Sequence, residues 1–252
     1  MRAEIRPIIS NREIAEGYHE LLFEVDEDFR AEPGQFTTIR ISASSTPLLR
    51  RPFAFASCAD RRASIIYQRR GPGTELLAGK REGDELDIIA PLGNRWPLPS
   101  TEETAILVAG GIGMGPILFL ATELQESGRP AQLYIGARTG DLLPEESFFG
   151  DLNPILATDD GSRGTRGTVA DLIPKKFPAP PRFYACGPEP MMRAVHDIAL
   201  ELKAPCAVSM EQTMACGVGA CMGCVIRLAD GEEYARVCAD GPIFESRELL
   251  WS

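Results

Sequence analysis

The sequence is poor in histidine, tryptophan and positive charge. Its 252 residues include two histidines and two tryptophans, and 36 Asp and Glu outnumber 26 Lys and Arg, for a net charge of −10. Nucleic-acid binders gain much of their affinity by neutralising phosphates with Lys and Arg, so we expect no nucleic-acid partner. Neither H-E-x-x-H nor G-x-S-x-G occurs, which leaves metalloprotease and α/β-hydrolase chemistry without support.

Long hydrophobic runs are also missing. The longest covers residues 105–121 and carries four glycines and a proline, whereas a membrane helix needs about 20 apolar residues. These glycines and the proline favour a strand, a loop and a helix over one continuous helix. The first residues, MRAEIRPIISNREI, contain no continuous apolar core and are not typical of a secretory signal. We therefore expect a cytoplasmic protein with no membrane partner.

The chain length suits two medium domains with an appendage. Residues 1–98 hold short strand-like runs between turn signals and predict a small β-barrel or β-sandwich. Residues 99–210 alternate strands with helices, which indicates a doubly wound parallel α/β sheet. Residues 211–252 follow that sheet as a cysteine-containing lobe.

Four of the seven cysteines form the pattern C-x4-C-x2-C-x13-C. This is the spacing of a plant-type [2Fe–2S] centre, and the glycines between the cysteines let the backbone turn N–H groups toward the sulfurs. A disulfide needs an oxidising compartment, and a structural zinc site usually combines two pairs of closely spaced ligands. Zinc and an unmetallated loop stay open as weaker alternatives to a cluster bound by Cys216, Cys221, Cys224 and Cys238.

Two further segments follow predicted strands of the α/β region. VAGGIGMGPI joins a strand to a helix and predicts a loop that lets a pyrophosphate approach, with Gly110, Gly111, Gly113 and Gly115. ACGPEPM places Cys186, Gly187 and Pro188 at the carboxyl edge of the sheet, where ligands bind in such folds. For both segments, ordinary turn chemistry is the alternative interpretation.

Further motifs resemble those of the ferredoxin–NADP reductase family. Arg51-Pro52-Phe53-Ala54 resembles its R-x-Y-[ST] motif, Ile66-Tyr67-Gln68 the strand that follows, and Gly73-Thr74 its second flavin-phosphate loop. With ACGVGACMGC and DGPIF at the C-terminus, the whole chain resembles the electron-transfer (K) subunits of NAD-dependent, class 1B dihydroorotate dehydrogenases.

The resemblance implies that residues 1–98 form an FAD-binding antiparallel β-barrel, that residues 99–210 bind NAD and that residues 211–252 form the [2Fe–2S] lobe. It also implies roles for single residues. Arg51 would pair with the FAD pyrophosphate, because a guanidinium suits phosphate oxygens. Phe53 would pack by the flavin, residues 66–68 would offer backbone contacts, and Gly73 and Thr74 would hold phosphate. Cys186 would position the nicotinamide without forming a covalent bond. Ala54 departs from the family, since alanine lacks the hydroxyl that can hydrogen-bond flavin N5.

The number of electrons that each cofactor carries completes the hypothesis. NADH gives up two electrons as a hydride, a [2Fe–2S] centre carries one, and FAD is the adaptor between them. The resemblance implies a partner, an FMN-containing dihydroorotate dehydrogenase catalytic subunit of pyrimidine biosynthesis, in a heterotetramer of two plus two chains. Asp141, Glu145 and Glu146 favour NAD over NADP, although Arg138 counts for NADP.

Other functions remain possible at this point. One alternative is the small subunit of a NAD(P)H–ferredoxin oxidoreductase, a sulfide dehydrogenase or a hydrogenase complex. Such a subunit has the same domain plan but works with a different partner. Another is a redox sensor that holds NAD and a cluster without turnover.

Overall fold

A six-stranded closed β-barrel forms the N-terminal part of the molecule. The computed structural model describes residues 1–42, 44 and 46–251. Strands follow one another around the barrel in the order β1-β2-β5-β4-β3-β6 with antiparallel pairing throughout. Their bounds are β1 Arg2–Ala15, β2 Tyr18–Glu24, β3 Phe36–Arg40, β4 Arg51–Ala59, β5 Arg62–Gln68 and β6 Glu85–Leu92.

The strict alternation of buried and less buried residues explains why β6 forms part of the barrel wall. Its residues are buried at every second position, from Leu86 to Leu92, as period-two geometry requires. β1 is long enough to pair with both β2 and β6 and so closes the barrel. A short helix, α1 (Pro72–Ala78), lies between β5 and β6; it was not expected from the sequence, which reads as a turn at this point.

A seven-stranded sheet forms the second layer, in the order β10-β9-β8-β7-β11-β12-β15. Its strands are parallel except β15, which pairs antiparallel with β12. Helices α2 (Met114–Glu126) and α3 (Glu189–Glu201) follow β7 and β11. The strands are β7 Thr104–Gly110, β8 Ala131–Ala137, β9 Ile155–Thr158, β10 Thr165–Arg166, β11 Pro181–Cys186, β12 Cys206–Ser209 and β15 Ile243–Glu245.

This order creates a switch point between β7 and β11. From β7 the chain proceeds outward to β8 and β9, then returns to place β11 on the other side of β7. Ligands of open α/β sheets bind at the carboxyl ends of the strands where the order reverses. The predicted loops after β7 and β11 therefore begin at one crevice.

The cysteine-rich segment contacts both layers. It contains a small hairpin of β13 (Val225–Arg227) and β14 (Tyr234–Arg236) before β15 joins the sheet. Phe36 of the barrel, Val208 of the sheet and Cys224 and Cys238 of the lobe belong to one buried apolar cluster. The predicted barrel, parallel sheet and C-terminal lobe are confirmed, while the domain boundaries near residues 98 and 210 stay a prediction.

No helix in the part of the chain that the structure describes is long and apolar enough to cross a membrane.

Candidate functional site

The loops after β7 and β11 pack directly on each other. A Cβ atom on Gly113 would lie 2.0 Å from the carbonyl oxygen of Cys186, and one on Gly187 would lie 2.8 Å from the carbonyl oxygen of Gly110. A Cβ on Gly110 would meet Pro188 at 2.8 Å. Because no side chain fits between these backbones, glycine is required at the crevice for the chain's own packing.

The other two glycines of the loop have different surroundings. Gly111 has a φ of 54°, and a Cβ there would lie 3.3 Å from the Tyr18 hydroxyl. A Cβ on Gly115 would make ordinary contact with Ile66, at 3.5 Å. Gly115 thus lies where α2 packs on the barrel.

A cavity of about 260 Å³ lies between the barrel and the sheet crevice. It brings together residues of the predicted flavin motifs and the predicted nicotinamide-side Cys186, which are more than a hundred residues apart in sequence. Residues from the predicted set that line it are Pro52, Phe53, Ala54, Ile66, Tyr67, Gln68 and Cys186.

Arg51 and Gly73 meet beside this cavity. The Arg51 Nε atom lies 3.0 Å from the position of a Cβ on Gly73, so a side chain there would displace the guanidinium. Arg51 also donates a hydrogen bond to the carbonyl oxygen of Leu49. These contacts hold the guanidinium near the start of α1, as a phosphate-binding role requires.

The Thr74 hydroxyl is occupied by local hydrogen bonds. It accepts from the backbone N–H groups of Arg70, at 2.8 Å, and Gly71, at 3.2 Å, and it donates to the Gly71 carbonyl oxygen at 3.1 Å. Its role in this structure is to close the turn before α1.

Several cavity residues were missed from the sequence: Phe36, Arg70, Ser209 and Glu211. Ser209 is the register partner of Cys186 on the adjacent parallel strand. Its position at the end of a predicted strand was the available signal, because the carboxyl ends of neighbouring parallel strands share one edge. Burial raises the pKa of the Glu211 carboxyl, and the positive charge of Arg70 opposes that shift.

Cys186 has the properties of a neutral thiol. It is 2% exposed, and burial raises its pKa well above the ordinary thiol value. A thiolate is the nucleophilic form of cysteine. The protonated state therefore fits the predicted positioning role and gives no support to a covalent one.

The four lobe cysteines lie in two pairs. The Cys221 N–H donates to Cys216 Sγ at 3.4 Å, and the two thiols interact directly. The Cys238 N–H donates to Cys224 Sγ at 3.4 Å, and these thiols also interact. The first pair lies toward the surface and the second is buried.

Backbone N–H groups of the loop point at the sulfurs. Val218 donates to Cys216 Sγ at 3.5 Å, and Gly219 donates to Cys238 Sγ at 3.1 Å. The N–H groups of Val218 and Cys221 lower the pKa of Cys216 to about 6, because they stabilise a thiolate. The loop thus offers thiolate ligands with preset hydrogen bonds, as a negatively charged cluster requires.

The paired arrangement bears on the kind of metal centre. A structural zinc site gathers four ligands around one ion. Two pairs of thiols, one pair for each iron, match the ligand requirement of a [2Fe–2S] centre, so the residues present fit this group.

Asn94, just after β6, ties the lobe to the barrel. Its Nδ2 donates to the carbonyl oxygens of Ile243 (2.8 Å) and Asp240 (3.2 Å), and its Oδ1 accepts from the Ile243 N–H at 2.9 Å. The Asn94 N–H donates to the Gly241 carbonyl oxygen at 2.7 Å. These bonds hold the segment that follows Cys238.

Comparisons with known proteins agree with this geometry. The model of the iron–sulfur cluster binding domain of dihydroorotate dehydrogenase B matches residues 211–250. The dihydroorotate dehydrogenase B (NAD(+)) electron transfer subunit of Geobacillus kaustophilus is 40% identical, with 96% of each chain covered. That of Geobacillus sp. strain WCH70 is 36% identical, with 99% of each covered. The chain belongs to this family.

One solved structure extends the likeness to three dimensions. A flavin-based electron-bifurcating, NADH-dependent reduced ferredoxin–NADP oxidoreductase superposes with a TM-score of 0.86 at 28% identity, covering 98% of this chain and 90% of that one. The predicted family resemblance is confirmed, and with it FAD, a [2Fe–2S] cluster and NAD as the cofactors. As an electron-transfer subunit, a member of this family works with a catalytic partner.

Proposed function

We propose that this chain passes electrons between NAD+ and the FMN of a partner subunit that oxidises dihydroorotate to orotate. The observation that carries the proposal is the placement of the paired thiols in a lobe fastened to the barrel by Asn94. The same barrel forms one wall of the cavity that contains Cys186. One chain would thus bring a cluster site, a flavin site and a nicotinamide site close to one another.

The barrel side of the cavity would hold FAD. Arg51 contributes a fixed guanidinium for the pyrophosphate, and Gly73 leaves the space that this side chain needs. Phe53 and Tyr67 contribute aromatic surface, with ring centroids 5.9 Å apart. Residues 52–54 and 66–68 form the wall. Ala54 would offer no side-chain hydroxyl to flavin N5.

The crevice side would position the nicotinamide. Cys186 and Ser209 lie side by side at the carboxyl ends of β11 and β12, and Glu211 faces the same cavity. The neutral Cys186 thiol would position the nicotinamide ring without forming a covalent bond to it. The packed loops around Gly110, Gly113, Gly187 and Pro188 fix the rim of this crevice.

When bound, FAD would supply the chemistry that links a two-electron hydride to single-electron transfer. The residues of the chain set the geometry for that conversion. The turn closed by Thr74 holds α1 beside Arg51. The loop of Cys216, Cys221 and Cys224, with Cys238, supplies the thiolates. The exposed charges of Asp141, Glu145 and Glu146 disfavour a 2′-phosphate near the adenosine ribose.

The surface of the cluster loop is suited to a partner. Val218 is 42% exposed and Met222 55% exposed, and they flank Cys221, the most exposed of the four cysteines. Apolar side chains at an electron-exit surface favour close contact with a catalytic subunit. We propose that the FMN-containing subunit docks here, in a heterotetramer of two plus two chains in the cytoplasm.

Co-expression tests the proposal. The chain is produced with a candidate catalytic subunit, and dihydroorotate-dependent reduction of NAD+ is measured in the purified complex. We expect activity in the wild type and in Cys58→Ser, whose cysteine lies outside the cluster pattern, and its loss in Cys221→Ser. Undiminished activity in Cys221→Ser, or a complex that oxidises dihydroorotate but never reduces NAD+, would contradict the proposal.

A second candidate function has one observation in its favour. The superposed ferredoxin–NADP oxidoreductase shares almost the whole fold, so the same series of cofactors could deliver electrons to ferredoxin. A ferredoxin-reduction assay with NADH decides between them. Rapid ferredoxin reduction together with failure to bind any dihydroorotate-oxidising subunit would favour this alternative.

A further inference from the structure

Strand β3 lies between the barrel interior and the cluster lobe. Ile39 belongs to the barrel core, whereas Phe36 belongs to the buried cluster that includes Cys224 and Cys238. Because side chains alternate along a strand, Thr38 shares the face of Phe36 and Thr37 that of Ile39. The Thr38 Cγ2 atom lies 2.9 Å from the position of a Cβ on Gly217, so Thr38 packs against the cluster loop.

The Thr38 hydroxyl has no hydrogen-bond partner in the structure. Thr38 is 2% exposed, and its Oγ1 is one of the few buried polar side-chain atoms among the described residues without a partner. Thr37, its neighbour, is also fully buried, but its hydroxyl donates to the Ile89 carbonyl oxygen at 3.2 Å. Buried hydroxyls are almost always hydrogen-bonded, so the unpaired Thr38 Oγ1 requires an explanation.

β3 is flanked by strands on both sides, with Thr38 opposite Pro52 of β4 and opposite Ile89 of β6. The Thr38 methyl group, Cγ2, packs on the loop that begins at Cys216, and the hydroxyl shares its Cβ atom. N–H groups of that loop already converge on sulfur.

We propose that the Thr38 hydroxyl donates a hydrogen bond to a sulfur of the [2Fe–2S] site and raises the reduction potential of the cluster. The proposal rests on the proposed function, since it assumes that the lobe holds the cluster. A donated hydrogen bond stabilises the more negative, reduced state more than the oxidised one. Thr38 would thereby favour transfer of electrons onto the cluster from its neighbours.

Redox titration of the complete complex, followed by EPR, tests the proposal. Thr38→Val keeps the shape and removes the hydroxyl. At a fixed potential we expect the ratio of oxidised to reduced cluster to rise about tenfold, which is about 59 mV downward for a one-electron couple. Thr38→Ser retains a hydroxyl and should keep the wild-type potential. Thr37→Val is the matched control and should leave the potential unchanged.

Two results would overturn the proposal. One is a cluster potential in Thr38→Val equal to that of the wild type. The other is a shift of the FAD potential with the cluster potential unmoved, which would assign the hydroxyl to the flavin. The EPR signal separates this test from the proposed function, because its absence from the wild type would refute the cluster itself.

A further variant covers failure of Thr38→Val to load the cluster. Thr38→Ala also removes the hydroxyl. After complete exchange into deuterium oxide, pulsed EPR should detect one exchangeable deuterium fewer coupled to the cluster in this variant than in the wild type, because the amides of Val218 and Cys221 remain in both. An equal number in the two proteins would overturn the proposal.

Discussion

The tie between the barrel and the cluster lobe gives the sharpest prediction about local stability. Asn94→Ala removes two donated hydrogen bonds and one accepted bond, all to the backbone of residues 240–243. Each bond contributes about 0.5–1.5 kcal/mol net, and water replaces part of this contribution because Asn94 is exposed. We therefore expect a loss of about 1.5–3 kcal/mol in the free energy that holds this segment.

Hydrogen–deuterium exchange measures this loss directly. Protection of the amides in residues 238–245 should fall roughly 10- to 150-fold in Asn94→Ala, since about 1.4 kcal/mol corresponds to tenfold. Cluster release to an iron chelator should accelerate in the same variant, because the segment follows Cys238.

Asn11→Ala is the matched control. The Asn11 side chain also makes three hydrogen bonds, to Leu77, Lys80 and Tyr67, but within the barrel. Its loss should lower protection near residues 77–80 and leave residues 238–245 unchanged. Equal protection of residues 238–245 in wild type and Asn94→Ala would refute the reasoning.

Three further predictions concern the cavity and its rim. Gly113→Ala places a methyl group 2.0 Å from the Cys186 carbonyl and should abolish NAD+ binding in calorimetry. Gly115→Ala meets only ordinary contacts and should bind normally, with a thermal midpoint equal or higher. Arg51→Lys loses a bidentate phosphate partner and should weaken FAD binding about 10- to 100-fold by fluorescence titration. Glu211→Gln should flatten the pH dependence of thermal stability above pH 4.5, the ordinary pKa of this carboxyl.

The sign of the Glu211 effect follows from its raised pKa. The folded chain holds this proton more tightly than the unfolded chain, so the stabilisation is complete below the ordinary value of 4.5 and is lost as pH rises through the folded value. A steeper pH dependence in Glu211→Gln would reverse this assignment. For the glycines, equal NAD+ affinity in both variants would contradict the packing argument, and unchanged FAD affinity in Arg51→Lys would remove the phosphate role.

The grouping of three cysteines in the C-terminal lobe was predictable because it is local in sequence. Cys216, Cys221 and Cys224 lie on one short loop, so their spacing carries most of the information. The two crevice segments were also predictable from the sequence, since each directly follows a buried strand. The sequence did not indicate that Gly113 packs against the Cys186 backbone. This contact makes glycine necessary at position 113 even without a ligand.

Contacts distant in sequence could not be predicted. Asn94 and its partners are separated by 146 and 149 residues, and nothing near Asn94 in sequence indicates them. Thr38 and Gly217 are similarly remote. Helix α1 was missed because Gly71-Pro72-Gly73 is typical of a turn, although proline also suits the first position of a helix. The alternation of β1 is interrupted by two register shifts, which obscured its period.

The central claim is that one chain connects a nicotinamide site to a [2Fe–2S] centre through FAD. An anaerobic titration of the purified chain with NADH, followed by EPR, tests it most directly. The account predicts that flavin absorbance bleaches while a paramagnetic [2Fe–2S] signal grows. Bleached flavin with no such signal, or a lobe that contains zinc in place of iron and sulfide, would contradict it.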